Sequence, residues 1–305
     1  MNIKMPEILC ARCNQSVSIG TLWCICDKGH KFPVKGNIID FLPDMHDEDL
    51  KEEVKHWDHY AEEGKANIEP NEYIKLKIFR DYETLFARYI AEEWPDYSRK
   101  DISIAEIGCG SGSAIRLLLG IKFPSVDYVG IDVSLQTMLA HRDNDKYPNP
   151  YWKVRFVRAS ANTGLFKENA LDMVFSTSAL HHLKVNEVIK WTSKSLKRGG
   201  LFIMNEPSEV NPFARLGRKF VRDFHTKGER PLHPKKIKKI ANEYNLHLRY
   251  EKGLHFLSGP MMYLVEILRL PMPLSILAYS VSKVFDHLII SPTWNYSFVQ
   301  VYRRA

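Results

Sequence analysis

Apolar residues follow two periodicities along the last two thirds of this 305-residue chain. Short apolar runs predict strands at residues 102–107, 127–131, 154–159, 171–176 and 201–205. Helical spacing begins between these runs, at Ser113, Leu135 and Asn186, and two later strands are predicted at 246–250 and 297–302. Strands that alternate with helices predict a doubly wound α/β fold around a parallel sheet.

The rest of the chain divides around this α/β region. Residues 1–43 predict a small module, and 44–100 predict an acidic linker followed by cap helices. Helical spacing recurs there at Val54, Trp57 and Tyr60, and again over 73–94. The main domain, 101–305, is interrupted by two insertions at 207–233 and 253–294.

Three glycines follow the first strand of the main domain. Gly108, Gly110 and Gly112 lie between an apolar run and a helical pattern. Such a turn brings the backbone close to a ligand and aims the first N–H groups of the next helix at it. The spacing differs from the dinucleotide fingerprint G-x-G-x-x-G. Asp132 ends the second strand, where an acidic side chain is placed to accept hydrogen bonds from ribose hydroxyls.

Four stretches in this order resemble the successive motifs of class I S-adenosylmethionine-dependent methyltransferases. They read AEIGCGSG, YVGIDVS, LDMVFSTSALHHL and LKRGGLFIMNEP. The resemblance covers about residues 55–305, and it implies a Rossmann-like enzyme that binds S-adenosyl-L-methionine. It also implies that the cap helices cover the cofactor pocket, with Trp57, Tyr60 and Tyr73 near the substrate. For any one of these three residues, plain packing of helix against sheet is the favoured alternative.

The resemblance assigns cofactor-binding roles to a set of residues at the strand ends. These are Glu106, Gly108, Gly110, Gly112, Asp132, Val133, Ser160, Ala161 and Ser176. Glu106 is expected to reach the amino-acid end of the cofactor through water, and Asp132 the ribose, with Val133 against the adenine. Ser160 stands where the family usually has an aspartate facing the adenine amino group. Ser176 is a candidate for the cofactor's carboxylate.

Three polar residues are candidates for catalysis. His181 and His182 follow the fourth strand, and Glu206 ends the fifth. Methyl transfer requires mainly positioning, because the sulfonium carbon is already electrophilic. A hydroxyl acceptor needs a base, and histidine titrates near neutral pH. The alternative is that the L-H-H-L run only shapes the pocket. Cys109 is the one cysteine of this domain, so a cysteine-based carbon methylation is not expected.

Four of the five cysteines lie within the first 26 residues. A module this short needs a clip, and paired Cys and His ligands suit a structural Zn²⁺. The segment resembles the zinc ribbon of bacterial ribosomal RNA guanine-N1 methyltransferases, and this likeness implies the ligands Cys10, Cys13, Cys26 and His30. Cys24 is the alternative fourth ligand. We expect Cys24 and Cys26 to point opposite ways on a strand, so that only one faces the metal.

Composition and charge limit the location and the partners. The apolar and charged fractions, 45% and 26%, are those of an ordinary soluble protein. No export signal or membrane-spanning run is visible, so a cytoplasmic and zinc-binding protein is expected rather than a disulfide-bonded one. The net charge of +7 suits an anionic small molecule, a membrane surface or nucleic acid.

The two insertions are expected to select the acceptor. The first carries Arg215, Arg218, Lys219, Arg222, Lys227 and Arg230 and predicts an amphipathic basic helix. The second is rich in Leu, Ile and Met and predicts an apolar lid, a homodimer surface or a membrane-peripheral patch. Ordinary core helices are the alternative, because periodicity alone does not distinguish them. Together they favour a small-molecule or lipid-like acceptor that is amphiphilic and anionic. A ribosomal RNA base is the second hypothesis, and a non-catalytic cofactor-binding protein the third.

Overall fold

The computed structural model describes residues 7–42, 48–62, 72–96, 101–110, 112, 121, 123–142, 151–213, 215, 229–268, 270–288 and 294–305. Four short strands form an antiparallel meander at the beginning of the chain. They are β1 (Val17–Ile19), β2 (Trp23–Cys26), β3 (Lys31–Lys35) and β4 (Ile38–Asp40).

The orientation of two cysteines on β2 differs from the sequence prediction. Cys24 and Cys26 are both buried, whereas Trp23 and Ile25 are exposed. The expectation that the two cysteines point opposite ways is therefore wrong, because residues two apart on a strand share a face. What separates them is their position along the strand: only Cys26 lies in a cluster with Cys10, Cys13 and His30.

Seven longer strands build the main sheet. They are β5 (Asp101–Ile107), β6 (Ser125–Asp132), β7 (Trp152–Arg158), β8 (Leu171–Thr177), β9 (Leu196–Pro207), β10 (Leu246–Leu254) and β11 (Ser297–Arg304). Their spatial order is β7-β6-β5-β8-β9-β11-β10. Pairs from β7 to β9 are parallel, and β11 is antiparallel to both β9 and β10. The predicted α/β fold is confirmed.

Helices connect and flank the strands. They are α1 (Glu48–Glu62), α2 (Glu72–Glu93), α3 (Leu135–Arg142), α4 (Val185–Ser195), α5 (Pro234–Glu243), α6 (Ser258–Ile267) and α7 (Met272–Asp286). The predicted helix after the glycine turn and most of the predicted basic helix, 216–228, lie outside the described residues.

The central strands send alternate side chains into two apolar cores. Ile104 and Tyr128 pack into one core, and their neighbours Ala105 and Val129 pack into the other. A parallel sheet with both faces covered requires such nearly continuous apolar strands. The side chains of the central strands therefore form the cores, and their carboxyl ends are left for the functional groups.

The N-terminal meander continues the main sheet. β4 pairs in parallel with β7, with Ile38 opposite Phe156, so that eleven strands form one sheet. Arg158 at the end of β7 contacts Asp40 of β4 at 3.2 Å and Asp58 of α1 at 3.8 Å. Its Nε also donates to the Val133 carbonyl. One arginine thus joins the N-terminal strands and α1 to the end of β6.

Helix α7 is polar inside and apolar outside. Ser275, Tyr279 and Ser282 are its buried residues, and the outward face is apolar. That face carries Leu274, Leu277, Val281, Val284 and Phe285, followed by Leu288. Within the described part of the chain, no helix combines the length and the apolar character needed to cross a membrane.

Candidate functional site

The glycine turn lies directly after β5. Gly108, Gly110 and Gly112 all have positive φ, at 65°, 49° and 72°. A Cβ at Gly108 would lie 2.2 Å from the Cβ of Ala179, whereas a Cβ at Gly110 would meet no atom within 4 Å. Gly108 is therefore required by contact with the loop after β8, while Gly110 borders open space where a ligand can approach the backbone.

Asp132 lies at the end of β6 and faces the glycine turn. Its carboxylate accepts hydrogen bonds from the N–H of Gly110 at 2.7 Å and of Ser134 at 2.9 Å. Burial raises the pKa of Asp132, and the backbone N–H donors oppose this effect. Residue 132 is thus held beside the turn, and Val133 follows it.

Glu106 is buried one residue before the end of β5. It accepts a hydrogen bond from the hydroxyl of Tyr128 on the neighbouring strand. Burial raises the pKa of Glu106 to about 8, although this hydrogen bond lowers it and the charge of Asp132 raises it further. Near neutral pH, Glu106 therefore carries a proton and can donate a hydrogen bond.

The raised pKa of Glu106 predicts a pH-dependent stability. Between pH 4.5 and about 8 the folded chain keeps a proton that the unfolded carboxyl has released, so the free energy of unfolding falls as the pH rises. The Glu106→Gln variant lacks this dependence. The free energy of unfolding of Glu106→Gln, relative to that of the wild type, should therefore rise by about 1.4 kcal/mol for each pH unit of increase in that window.

Denaturant unfolding at pH 5, 6, 7 and 8 measures this difference. The Glu243→Gln variant changes an exposed glutamate of α5 and should keep a constant offset from the wild type. A constant offset for Glu106→Gln as well would contradict the assignment of a proton to the folded carboxyl.

The end of β7 lies beside the end of β6. The N–H of Ala159 donates to the carbonyl of Asp132 at 2.9 Å, which fixes the two strand ends together. Ser160 follows, half-buried, and its hydroxyl accepts from the N–H of Asn162 at 3.3 Å. Ala161 is buried. The residues predicted at the ends of β5, β6 and β7 therefore belong to one edge of the sheet.

Glu206 is the centre of the second half of this edge. It is fully buried at the end of β9. One carboxylate oxygen accepts from Ser176 Oγ at 3.2 Å and from the N–H groups of Ala179 and Leu180 at 3.1 and 3.0 Å. The other lies 2.8 Å from His181 Nδ1. Four donors therefore hold one carboxylate, and the hydroxyl of Ser176 uses its proton in a hydrogen bond to Glu206.

His182 points toward the cap helix α1. Its Nδ1 lies 3.3 Å from a carboxylate oxygen of Glu53, whose other oxygen accepts from Trp57 Nε1 at 2.9 Å. Burial alone would lower the pKa of His182, but the hydrogen bond and charge of Glu53, with the charges of Glu229 and Glu206, raise it above its usual value.

The structure brings the two halves of the predicted site together. Gly108 of the cofactor turn contacts Ala179, whose N–H is bound by Glu206. Trp57, expected near the substrate, packs against His182 with ring centroids 5.7 Å apart. The side chains of Tyr60 and Tyr73 lie outside the described residues. Glu53 and Glu229 were not predicted, since nothing in their local sequence marks them.

The N-terminal cysteine cluster is a second site. The Sγ atoms of Cys13 and Cys26 are 3.7 Å apart, and His30 Nδ1 lies 3.7 Å from Cys10 Sγ and 3.4 Å from Cys26 Sγ. Ligands 2.3 Å from a tetrahedral Zn²⁺ are about 3.8 Å apart. The N–H of His30 also donates to Cys26 Sγ. These four side chains fit a zinc ion.

Comparison with known proteins agrees with the geometry at the sheet edge. Residues 105–204, which include the glycine turn, the end of β6 and most of β9, match the family described as Methyltransferase domain. No curated protein matches the chain. Nine hundred and thirty-five chains of solved structures do match. The three described below are at most 14% identical to this chain, so their likeness shows the fold alone.

Three solved structures illustrate this likeness. Geranyl diphosphate C-methyltransferase from Streptomyces coelicolor has a TM-score of 0.55 at 14% identity, covering 86% of this chain and 100% of its own. A chain of the complex between the Haloferax volcanii Trm112 methyltransferase activator and the putative methyltransferase has 0.52 at 14%, covering 81% and 96%. A putative sarcosine dimethylglycine methyltransferase from Galdieria sulphuraria has 0.51 at 10%, covering 85% and 99%. The chain therefore carries a methyltransferase domain over residues 105–204, with the glycine turn inside it.

Proposed function

We propose that this enzyme transfers the methyl group of S-adenosylmethionine to a small-molecule or lipid-like acceptor that is amphiphilic and anionic. The observation that carries this proposal is the contact between Gly108 and Ala179, which joins the glycine turn to the loop that holds His181. A cofactor at the turn and an acceptor at the histidines are then neighbours. Positioning of this kind supplies most of the rate enhancement in methyl transfer.

The cofactor is proposed to lie along the ends of β5, β6 and β7. Gly110, with open space at its Cα, lets the methionine part and the ribose approach. Asp132 accepts from the ribose hydroxyls, and Val133 packs against the adenine. Ser160 and Ala161 border the adenine from the end of β7. Glu106, protonated near neutral pH, donates through water toward the amino-acid end.

The acceptor's polar group is proposed to bind at His181. Nδ1 donates a hydrogen bond to the carboxylate of Glu206, so that the lone pair of Nε2 is left for the acceptor. His182 lies beside it, with ring centroids 4.2 Å apart. Glu206 itself is enclosed by four donors and acts as a positioning residue. We assign to Ser176 the same role, because it donates to Glu206.

The outward face of α7 supports a lipid-like acceptor. Its exposed apolar residues lie on one side of a 15-residue helix whose inward side is polar. Asp286, the acidic residue near its end, points inward and accepts from Leu257 and Ser258. Exposed Trp294 lies beyond the helix in sequence, and tryptophan favours membrane interfaces. We propose that this face rests on an anionic membrane surface.

A pair of substitutions on α7 tests membrane contact. Replacement of Leu277 and Val284 by serine removes two exposed apolar side chains, each worth about 1.5 kcal/mol or more when buried. The fraction bound to vesicles of mixed zwitterionic and anionic lipid should fall at least tenfold. Leu22→Ser with Tyr151→Ser, at exposed positions elsewhere, is the matched control and should bind as the wild type does.

A second copy of the chain is the competing occupant of the α7 face. In that case the wild type would not sediment with vesicles and would instead show a concentration-dependent dimer in ultracentrifugation. The serine pair on α7 would then dissociate this dimer. Such a result would replace the membrane proposal with a homodimer.

The N-terminal cluster is proposed to hold a structural zinc ion. Cys10, Cys13, Cys26 and His30 supply four ligands, so no coordination position is left for a reactant. The ion would fix the turns that precede β1 and follow β2, and thereby the meander that reaches β7 through β4. We assign it no part in the methyl-transfer step.

Two cysteine substitutions on the same strand test the zinc assignment. Elemental analysis should find about one zinc ion per chain more in the wild type than in Cys26→Ser. Cys26→Ser should lose it and unfold at a lower temperature, because metal binding contributes to folding. Cys24→Ser changes the neighbouring buried thiol and should retain the zinc. Loss of zinc in Cys24→Ser with retention in Cys26→Ser would contradict the proposed ligand set.

Ribosomal RNA is the second candidate acceptor, favoured by the zinc-binding cluster and by the net charge of +7. Radiolabelled S-adenosylmethionine incubated with the enzyme and a cell extract separates the candidates. We expect label in the lipid or small-molecule fraction. Label in the RNA fraction, with binding that weakens steeply as salt rises, would overturn the acceptor class. Cofactor binding without any label would favour a non-catalytic protein.

A further inference from the structure

Two histidines and a glutamate meet at the acceptor end of the site. His181, His182 and Glu229 each present one ligand atom, and the three atoms lie within 4.8 Å of one another. His181 is 6% exposed, and the side chain of Glu229 is 9% exposed. Glu229 lies far along the chain from the histidines. The N–H of the next residue, Arg230, donates to the carbonyl of His181 at 2.8 Å, which fixes the two segments together.

The orientation of His181 suits a metal ligand. Nδ1 donates to the carboxylate of Glu206, an arrangement that metal-binding histidines commonly share because it fixes the ring and raises the basicity of Nε2. Nε2 lies 3.8 Å from a carboxylate oxygen of Glu229. That distance is too long for a direct hydrogen bond. Two ligands of one tetrahedral ion, each about 2.1 Å from it, are about 3.4 Å apart.

We propose that His181, His182 and Glu229 bind a divalent transition-metal cation, which in turn holds the negative group of the acceptor. The inference deepens the proposed function and rests on it for the identity of the acceptor. Two imidazoles and one carboxylate suit Zn²⁺, Mn²⁺ or Fe²⁺ better than Ca²⁺ or Mg²⁺, which prefer oxygen ligands. Three protein ligands leave coordination positions for a phosphate, carboxylate or phenolate oxygen.

The charge of the cluster supports a cation at this place. The carboxylates of Glu53, Glu206 and Glu229 all act on the two imidazoles. An anionic acceptor placed directly against these carboxylates would be repelled. A divalent cation offsets the carboxylate charge and attracts the acceptor, so it makes an acidic cluster compatible with an anionic substrate.

Binding of Mn²⁺ to the full chain tests this site. Mn²⁺ is chosen because it prefers nitrogen and oxygen ligands, which keeps it away from the thiolates of the cysteine cluster. After dialysis against Mn²⁺, elemental analysis gives the sum of all divalent metals per chain. Glu229→Gln keeps the volume of the side chain, and Glu229→Asp keeps the charge at a shorter reach. Glu209→Gln, which changes a glutamate paired with Lys236, is the matched control.

The wild type and Glu209→Gln should each hold about one metal ion more per chain than Glu229→Gln. In titration calorimetry, Glu229→Gln should bind Mn²⁺ at least tenfold more weakly than the wild type, with Glu229→Asp in between. Equal metal content in the wild type and Glu229→Gln, or equal Mn²⁺ affinity, overturns the site.

S-adenosylmethionine affinity and the methyl-transfer assay separate this inference from the proposed function. Both Glu229 variants should bind the cofactor with wild-type affinity, which shows that they are folded. A metal site that is lost in Glu229→Gln while the wild type transfers no methyl group would support the metal and contradict the methyl transfer. If Glu229→Gln transfers the methyl group at the wild-type rate, and the wild type holds no more metal than this variant, the methyl transfer is supported and the metal site is contradicted.

Discussion

Replacement of Glu206 by glutamine is expected to lower kcat roughly 100-fold or more while S-adenosylmethionine affinity hardly changes. The substitution keeps the shape of a fully buried side chain. The amide oxygen can still accept from Ser176, Ala179 and Leu180, as the carboxylate does now. The amide nitrogen then faces His181 Nδ1, and it can only donate.

This reversal changes the tautomer of His181. A donor at Nδ1 favours the ring with its proton on Nε2, so the lone pair that faces the acceptor is lost. Neither a hydrogen bond accepted from the acceptor nor a metal ion at Nε2 is then available. The loss falls on the chemical step, because Glu206 acts on the acceptor through His181.

Steady-state kinetics and nitrogen NMR of the imidazole measure the two parts of this prediction. kcat should fall with little change in the cofactor's Kd, and the protonated nitrogen of His181 should move from Nδ1 to Nε2. Glu209→Gln is the control, since Glu209 pairs with Lys236 outside the buried network. A tautomer change with undiminished kcat would contradict the role given to His181.

The sequence was most informative where function depends on consecutive residues. The glycine turn, Asp132 and the L-H-H-L run each follow a buried strand, and strand ends in a parallel sheet converge on one edge. That convergence could be predicted, and the contact of Gly108 with Ala179 agrees with it. The apolar runs also indicated the strands themselves, because both faces of this sheet are covered.

Long-range contacts could not be predicted from periodicity. Glu53 is one of several acidic residues in an amphipathic segment, and only the packing of α1 selects it for His182. Glu229 follows a basic segment, and nothing in the neighbouring sequence indicates that this carboxylate lies beside His181. Arg158 joins Asp40 and Asp58 from two other elements. In each case the partner lies many residues away, so the pair depends on the fold.

The N-terminal cysteines show a different limit. Spacing alone left Cys24 and His30 as alternatives, and the face argument used to separate Cys24 from Cys26 was wrong. The distances between Sγ and Nδ1 atoms favour Cys26 with His30. The parallel pairing of β4 with β7 also has no sequence signal, since a three-residue strand such as β4 is indistinguishable from a short apolar turn.

Replacement of Asp132 by alanine is expected to weaken S-adenosylmethionine binding by about 100-fold or more. Each hydrogen bond from a ribose hydroxyl to a charged carboxylate is worth about 1.5 to 3 kcal/mol, and two are proposed. The same carboxylate accepts from Gly110 and Ser134. Removal of the carboxylate leaves the N–H groups of Gly110 and Ser134 without this acceptor. The glycine turn then loses the contact that holds it against the end of β6.

Asp132→Asn and Asp127→Asn together separate binding from folding. The Asp132→Asn variant would keep one acceptor for the Gly110 N–H and should bind the cofactor more tightly than the alanine variant, though still more weakly than the wild type. Asp127 is buried on the same strand, away from the carboxyl end, and burial raises its pKa as well. Asp127→Asn should therefore leave cofactor affinity unchanged. Strand β6 places the Asp132 carboxylate beside the turn whether or not the cofactor contacts it, so the position alone does not establish the ribose contact. Wild-type affinity of Asp132→Ala in calorimetry would refute that contact.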